Sequence, residues 1–298
     1  MNAGVDRRAV VVGIDGSAEA LRAAQWAVPE ARRREATLRL ISALDQADDR
    51  MLGWPKLGQP AYDDRLRVVA EDDLNTAAAA AAELDPDLSI EQHLVLGFPA
   101  GVLVQESQDG QLLVVGDRGR GRISSALAGS VALGVAARSI CPVVVVRGAE
   151  SPDQRLPIVV GIDGTPLSEA AIAFAFDEAS ARRAPLIAVH TWQGSVIAEL
   201  VDWQSAAVEA EQMLAERLAG WNAKYPDVAV QRIVARTYPA SALLDQAARA
   251  QLVVVGSRGH GEIAGLLLDS VSNALVHAAD CPVAIARSRN PGPRSDRP

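Results

Sequence analysis

One segment of this chain, QLLVVGDRGRG at residues 111–121, returns almost unchanged as QLVVVGSRGHG at residues 251–261. A second segment, CPVVVVR at residues 141–147, returns as CPVAIAR at residues 281–287. Both returns lie 140 residues further along a chain of 298 residues, which is about twice the usual size of a single domain. Repetition at a fixed spacing indicates a tandem duplication, so each half is expected to form the same fold.

The segment VVGIDG marks the beginning of each half. It occurs at residues 11–16 and again at 159–164, an offset of 148, so the first half carries about eight extra residues. These are expected between residues 45 and 63, a stretch rich in Gly, Pro and charge. The limits of the repeated segments predict a first domain over residues 1–147, a linker over 148–156, a second domain over 157–287 and a disordered tail over 288–298.

Short Val, Ile and Leu runs alternate with Ala-rich stretches of helical period in each half. In the first half the apolar runs predict strands at residues 9–14, 38–43, 90–96, 112–115 and 143–146. The stretches between them predict helices near residues 18–34, 63–83, 100–108 and 131–138. Continuously apolar strands that alternate with helices predict an α/β domain with a parallel sheet covered by helices on both faces. Ligands of such sheets bind beyond the carboxyl ends of the strands.

The composition of the chain limits the kinds of molecule that it is expected to bind and the compartment in which it is expected to occur. The formal net charge is −8 and aromatic residues make up 4% of the chain, which argues against a nucleic-acid partner because phosphate backbones need a basic face. The first apolar stretch, residues 9–14, is too short for a signal peptide or a membrane span, so a cytoplasmic protein is expected. Cys141 and Cys281 each precede a proline and an apolar run, a buried-strand setting that suits a reducing compartment.

Glycines and small polar residues follow the first and fourth predicted strands. Asp15 closes the first strand, and the fourth is followed by Gly116, Gly119 and, after nine intervening residues, the pair Gly129 and Ser130. Glycine lets backbone amides approach an anion closely, and Ser130 is expected as the N-cap of a helix whose first N–H groups are unpaired donors. The simpler interpretation is a glycine turn between strand and helix. Repetition of the spacing in both halves favours a phosphate cradle.

The pattern Gly116-x2-Gly119-x9-Gly129-Ser130, with Asp15, resembles the ATP-binding motif of the universal stress protein family, and the similarity extends over residues 9–147 and 157–287. The resemblance, which is to the tandem-domain actinobacterial members, implies two open five-stranded parallel sheets of order 3-2-1-4-5, like those of adenine-nucleotide alpha hydrolases, with ATP at the carboxyl edge. It implies that Asp15 contacts the ribose or a metal-bridged phosphate. The other first-half residues implied in nucleotide binding are Ala43 and Val115 beside the adenine, Gly116, Gly119, Gly129, Ser130 and Val131 at the phosphates, and also Gly13 and Arg118.

In the second half the same roles fall on Gly161, Asp163, Thr191, Val255, Gly256, Arg258, Gly259, Ser270 and Val271. Arg118 and Arg258 lie between the paired glycines, where they either reach a phosphate or are simply solvated. Asp269 stands where the first half has Gly129. Aspartate is a favoured N-cap and an anion, so it is expected to occupy the helix amides or repel phosphate and weaken the second site. The alternative is that Asp269 turns to solvent or shares the Mg²⁺ of the nucleotide, and both sites bind ATP.

Other chemistry is less well supported by the sequence. It contains no His, Cys or carboxylate cluster at ligand spacing, so any metal is expected to be Mg²⁺ brought by ATP. The resemblance implies a nucleotide-dependent regulator or sensor in stress response or growth arrest. A slow ATPase or nucleotide hydrolase and a nucleotide-free interaction scaffold are the alternatives. The family's pairing of fifth strands implies an internal pseudo-dimer through residues 143–146 and 283–286, and a further homodimer and an unknown regulatory protein partner are expected.

Overall fold

The computed structural model describes residues 9–44, 59–119, 128–148, 155–192, 203–257 and 268–287. The elements of the first half are β1 (Ala9–Gly13), α1 (Ala18–Arg33), β2 (Leu38–Leu44), α2 (Gln59–Leu84), β3 (Ile90–Leu96), α3 (Pro99–Glu106), β4 (Gly110–Gly116), α4 (Ser130–Arg138) and β5 (Val143–Val146). Those of the second half are β6 (Ile158–Gly161), α5 (Glu169–Arg182), β7 (Leu186–Thr191), α6 (Trp203–Lys224), β8 (Val230–Ala235), α7 (Pro239–Ala247), β9 (Leu252–Gly256), α8 (Ser270–Ala278) and β10 (Val283–Ala286). The two halves therefore repeat the same alternation of strand and helix.

Local capping signals start the first helix of each half. Ser17 is the N-cap of α1, and its hydroxyl accepts a hydrogen bond from the Ala20 N–H at 3.1 Å. Thr165 has this role in the second half, where its hydroxyl accepts from the Leu167 N–H at 3.2 Å and a short 3-10 helix, Pro166–Ser168, precedes α5. Such caps satisfy N–H groups that a helix leaves unpaired. Each helix thus begins close to the carboxyl end of the first strand of its half.

The ten strands form one sheet in the order β3-β2-β1-β4-β5-β10-β9-β6-β7-β8. Within each half the strands are parallel and follow the predicted order 3-2-1-4-5. The halves meet at β5 and β10, which pair antiparallel, with Val143 opposite Ile285 and Val145 opposite Val283. The predicted pairing of the fifth strands is confirmed, and it joins the two five-stranded sheets into one. Without this pairing, two apolar strands would be open edges.

Helices cover both faces of the sheet, as predicted. Val10 and Val12 of β1 pack on one face in a cluster that includes Leu74 of α2, whereas Val11 packs on the other face with Leu103 of α3. Successive residues of a strand point to opposite faces, so a continuously apolar strand needs a helical layer on each side. Each of the two hydrophobic clusters contains residues of both halves, so the halves share a core.

Four charged side chains join α1 to α5, and we call them the ion-pair box: Glu30, Arg34, Glu178 and Arg182. Glu178 accepts from Arg182 Nε at 2.9 Å and from Arg34 Nη2 at 2.5 Å. Glu30 accepts from the same two arginines. Both glutamates are buried. Because each glutamate pairs with an arginine from each half, the box connects the halves as well as the helices.

A second pair of contacts joins the halves on the opposite face of the sheet. Arg147, which follows β5, donates from Nη1 to the Val276 carbonyl at 2.6 Å. Arg287, which follows β10, donates from Nη2 to the Ala136 carbonyl at 2.5 Å. Both carbonyls belong to the last turn of a helix, where a positive charge is favourable because the helix dipole is negative there. The two contacts are equivalent under the repeat, as expected of a pseudo-dimer.

Each half expressed alone, as residues 1–147 or 157–287, is expected to form a homodimer. Removing the other half uncovers β5 or β10, and two copies can then restore the antiparallel pairing and a symmetric version of the ion-pair box. Sedimentation velocity of each half against the full chain measures the association. A half that stays a stable monomer at high concentration would show that the fifth-strand edge does not drive pairing.

Candidate functional site

The first strand of the first half delivers Asp15 to the carboxyl edge of the sheet. Asp15 is exposed, and its Oδ1 accepts from the Ser17 N–H at 3.0 Å and from the Ser17 hydroxyl at 2.5 Å. Between them Gly16 has φ of +73°, a left-handed conformation that favours glycine. The tight turn therefore sets the direction of the Asp15 carboxylate.

The glycine loop after β4 folds back onto Asp15 and onto the start of α4. A Cβ added at Gly119 would overlap Oδ2 of Asp15, so these two positions lie against each other. The Gly129 N–H donates to the Asp117 carbonyl at 2.7 Å, and a Cβ added at Gly129 would lie 3.6 Å from the Arg118 Cα. The fold thus brings together three separate parts of the chain: Asp15, residues 117–119 and Gly129.

Three other glycines of the predicted motifs have a packing role. A Cβ at Gly116 would lie 2.8 Å from the Cβ and 2.9 Å from the carbonyl oxygen of Glu19 in α1. At Gly13 it would lie 2.9 Å from Leu103, and at Gly161 3.0 Å from Leu243. Glycine at these strand ends lets a helix pack closely, whether or not a ligand is bound.

The starts of α4 and α8 differ between the halves. The prediction that Ser130 is an N-cap is wrong by one residue: α4 begins at Ser130, and its N-cap is Gly129, which has no side chain to bind the first-turn N–H groups. In α8 the N-cap is Asp269, whose Oδ1 accepts from the Ser272 N–H at 2.7 Å. The Ser272 hydroxyl in turn donates to the Gly256 carbonyl at 3.0 Å. The start of α4 therefore has no side-chain cap, whereas the start of α8 is capped by its own Asp269.

The charges around the first glycine loop are paired. Arg118 Nη2 lies 3.6 Å from Oε1 of Glu19, and Arg118 Nε lies 3.4 Å from Oδ2 of Asp117. The Asp117 side chain is buried, and its Oδ1 has no hydrogen-bond partner among the described residues. The repeat places serine, Ser257, at the equivalent position, and this difference between the halves is the signal in the sequence that could have identified Asp117. The two carboxylates hold the Arg118 guanidinium at the loop.

The second half contributes one side chain to the first-half loop. The Ala128 N–H, directly before Gly129, donates to Nδ1 of His277 in the last turn of α8 at 2.9 Å. Because a backbone N–H is the donor, Nδ1 carries no proton and the ring is the Nε2–H tautomer. The repeat has Ala137 at the equivalent position in α4, so the contact has no counterpart in the other direction. The sequence gives no sign of it, since it depends on how α8 packs against the first half.

One of the predicted second-half residues, Asp163, lines a cavity. Oδ1 of Asp163 accepts from the Thr165 N–H at 2.9 Å, the Thr165 hydroxyl at 2.7 Å and the Ser168 hydroxyl at 2.7 Å. A cavity of about 430 Å³ beside this turn is lined by Asp163, Gly164, Thr165, His190, Trp192, Ala206, Glu209, Ala210 and Met213. Thr191, the predicted neighbour of the base, is not part of the lining, but His190 and Trp192 on either side of it are. The predicted residues Arg258 and Gly259 lie outside the described residues.

The remaining predicted residues lie at or near the carboxyl ends of their strands or at helix starts. Ala43 and Val115 are on the strands that flank β1, and Val255 is in β9. Ser270 and Val271 open α8, as Ser130 and Val131 open α4.

The described residues offer little for metal or thiol chemistry. Across them, no group of three or more His, Cys, Asp or Glu side chains is arranged to hold a metal ion. Cys141 and Cys281 are buried free thiols, as the sequence predicted. Burial raises the pKa of the Cys281 thiol to about 12, so it stays protonated and unreactive near neutral pH. None of the helices in the described ranges is both long and apolar enough to cross a membrane.

Comparisons with known proteins agree with this fold. The universal stress protein family matches the chain twice, at residues 6–147 and 155–287. A universal stress protein of Mycobacterium bovis is 43% identical over 290 residues, which span 93% of this chain and 96% of the relative. One of Mycobacterium tuberculosis is 38% identical over 297 residues, spanning 96% and 99%. A universal stress protein from Archaeoglobus fulgidus shares the fold, with a TM-score of 0.72 and 18% identity over 96% of this chain and 98% of that one. The chain therefore belongs to the universal stress protein family and carries two of its domains in tandem.

Proposed function

We propose that the first half of this chain binds ATP and that the chain is a nucleotide-dependent regulator in stress response or growth arrest. The observation that supports binding is the start of α4, where Gly129 is an N-cap without a side chain and lies beside Arg118 and Gly119. Anions bind at helix N-termini because the first N–H groups are unpaired and the helix dipole is positive there. The regulatory role rests on the family to which the chain belongs.

Different parts of the nucleotide would meet different residues. The backbone N–H groups of Ser130 and Val131 would donate to phosphate oxygens, and Ala43 and Val115 would flank the base. Asp15, an exposed carboxylate at the strand end, would accept from ribose hydroxyls. A carboxylate oxygen is also a ligand that Mg²⁺ prefers, so Asp15 fits a metal that arrives with the nucleotide and neutralises part of the phosphate charge.

Two measurements on the full chain test this proposal. The purified protein is denatured with acid and the released small molecules are separated by chromatography, which is expected to show an adenine nucleotide. The nucleotide-free protein is then titrated with ATP by calorimetry, which is expected to give one tight site per chain. Absence of heat on titration with ATP, with or without Mg²⁺, would refute ATP as the ligand.

Replacing His277 by alanine is expected to weaken ATP binding at the first site by about threefold to tenfold. The Ala128 N–H would lose its partner, and the start of α4 would be less well held. One lost hydrogen bond of this kind is worth about 0.5–1.5 kcal/mol. Asparagine, whose side-chain oxygen can accept near the position of Nδ1, is expected to restore most of the affinity. Equal ATP affinities in the unmodified, alanine and asparagine proteins would contradict a positioning role for His277.

A further inference from the structure

We propose that two copies of this chain form a symmetric dimer through the outer edge of the second half, where β8 ends the sheet beside α6. The inference does not depend on nucleotide binding. It is argued from three features of the described residues: the open backbone of β8, the groove between β8 and α6, and the two charges in that groove.

Strand β8 leaves half of its backbone groups without a neighbouring strand. Among the described residues it pairs only with β7. The Ala229 carbonyl accepts from the Leu186 N–H at 2.9 Å, and the Ala235 carbonyl accepts from the Trp192 N–H at 3.1 Å. Residues that bond to one neighbour alternate along a strand, so the odd-numbered residues face β7 and the N–H and C=O groups of the even-numbered ones point outward. An outward row of this kind is a template for another strand.

An open groove of about 470 Å³ lies between this strand and α6. It is lined by Glu211, Asn222, Val230, Arg232 and Val234, which together we call the β8 edge. Alternate residues of a strand share a face, so the three strand residues lie on the α6 side. Val230 and Val234 are partly buried there against the hydrophobic core. The side chains of an added strand would therefore find both space and apolar surface.

The charges of the groove are complementary to a second copy of the same surface. Arg232 and Glu211 are exposed, and neither forms an ion pair with another described residue. Because the crossover helix α6 runs antiparallel to β8, Glu211 lies towards the Val234 end of the groove. In an antiparallel pairing that sets Arg232 opposite Val234 of the second copy, Arg232 comes beside Glu211 of that copy. The twofold axis repeats the contact, so two ion pairs form between the copies.

The chain already contains one junction of this kind. Antiparallel pairing of β5 with β10 sets α1 beside α5, and glutamates of each half bond to arginines of the other. A twofold axis perpendicular to the sheet would set α6 beside its copy in the same way. The charges of the β8 edge are exposed, whereas those of the ion-pair box are largely buried, so we expect a weaker junction that salt screens.

The opposite edge of the sheet lacks this complementarity. At an offset of 140, β3 has Gln92 where β8 has Arg232. Helix α2 keeps a glutamate, Glu71, and follows it with Asp72 and Asp73. Two copies that met at β3 would bring carboxylates together without the matching arginine, and like charges repel. A contact of β8 with β3 would leave an open edge at each end and form polymers, whereas β8 with β8 closes at two copies.

Sedimentation velocity of the full chain, over a range of protein and salt concentrations, tests this inference. We expect a monomer–dimer equilibrium that salt shifts towards the monomer. Arg232→Glu and Glu211→Arg are each expected to raise the dissociation constant of the dimer at least tenfold, because each sets like charges across the junction. The variant that carries both changes is expected to restore the dimer. Gln92→Glu and Glu71→Arg, the matched changes at the β3 edge, are expected to leave it unchanged.

A further variant tests the strand pairing itself. Val234→Pro removes an N–H that points away from β7, so it is expected to weaken the dimer and leave the pairing with β7 in place. Leu94→Pro is the matched change in β3 and is expected to have no effect on the dimer. Circular dichroism shows that each variant is folded. If a proline variant fails to fold, hydrogen exchange of the unmodified dimer gives the same information, since the N–H groups of residues 230, 232 and 234 are expected to be protected only in the dimer.

Several results would overturn the β8 edge as the dimer surface. A chain that stays monomeric at every protein concentration, at low as well as high salt, would do so. A dimer that survives both single charge reversals, a dimer lost in Gln92→Glu or Glu71→Arg, and open-ended polymers would each do so too. Failure of the double variant to restore the dimer would overturn the pairing of Arg232 with Glu211. None of these results bears on ATP binding, which is titrated separately.

Discussion

Replacing Glu178 by alanine is expected to lower the free energy of unfolding by about 3–5 kcal/mol, because it leaves the largely buried side chains of Arg34 and Arg182 with one acceptor fewer. Glu178 is buried and hydrogen-bonded to Arg182 and Arg34. Those arginines also lie over aromatic rings of the opposite half: the Arg182 guanidinium is 5.3 Å from the Trp26 ring centre. Removal of the carboxylate therefore affects the contact between the halves as well as one helix. Urea unfolding followed by circular dichroism measures the loss.

The same carboxylate makes stability depend on acid. Burial by itself raises the pKa of Glu178, but the charges of Arg182 and Arg34 and the hydrogen bond from Arg34 outweigh burial and lower it from 4.5 to about 2. A carboxyl whose pKa is lower in the folded state stabilises the protein above its unfolded value and loses that contribution as the pH falls. The unmodified protein is thus expected to lose part of its stability between pH 4.5 and about 2. Glu178→Ala should show a smaller loss over that range.

The matched control is an exposed ion pair. Arg39 Nε lies 2.9 Å from Oε2 of Glu91 across the outer strands β2 and β3, and 44% of the Glu91 side chain is exposed. Solvated pairs of this kind contribute about 0–1 kcal/mol, so Glu91→Ala is expected to change stability little. If Glu178→Ala cost no more than Glu91→Ala, the ion-pair box would have no special part in joining the halves.

Gly119→Val is expected to reduce ATP affinity at the first site by at least 100-fold, which corresponds to about 2.7 kcal/mol. An added Cβ at residue 119 would overlap Oδ2 of Asp15, and the two methyl groups of valine would extend into the space beside Gly129 that the phosphates are proposed to fill. Titration of the nucleotide-free protein with ATP measures the change. Asp15→Ala is expected to weaken binding too, since it removes the proposed ribose or metal contact.

Gly101→Val is the control for this glycine substitution. Gly101 lies in α3, and nothing is within 4 Å of a Cβ added there, so valine should fold without a clash and leave ATP affinity unchanged. Thermal unfolding of both variants separates loss of a site from loss of the fold. A folded Gly119→Val protein that binds ATP as well as the unmodified chain would remove Gly119 from the site.

Much of the fold was predictable because its signals are local. The strand at residues 143–146 has the predicted limits, since a run of apolar residues bounded by polar ones marks a buried strand. The strand at residues 90–96 also has the predicted limits, although it lies at the edge of the sheet, contains three polar residues and has no fully buried side chain. Helix α2 is longer than predicted: it begins at Gln59, within the stretch that its Gly and Pro content had marked as an insertion. The repeat predicted two copies of one fold, and the resemblance to the universal stress protein family implied the pairing of their fifth strands.

The candidate site was predictable only in part. The spacing of the glycine motif identified Asp15, Gly119 and Gly129 as candidates. Asp269, which replaces the glycine of the first half, showed that the two halves differ. Whether Asp269 turns to solvent or to its own helix depends on a side-chain rotation, and the structure has it capping Ser272. A single residue type is compatible with both arrangements, so the sequence left them open.

The ion-pair box and the His277 contact were decided by tertiary structure. Glu30 in α1 and Arg34 at its C-cap, four residues apart, are typical of a solvated helix face when viewed in sequence. Glu30 becomes fully buried and Arg34 largely buried because antiparallel pairing of β5 with β10 sets α1 beside α5, and their partners are about 150 residues away. Periodicity and capping act over a few residues and are therefore visible in the sequence by itself. Contacts between the halves depend on how two folded domains pack against each other, and this packing is determined only in the tertiary structure.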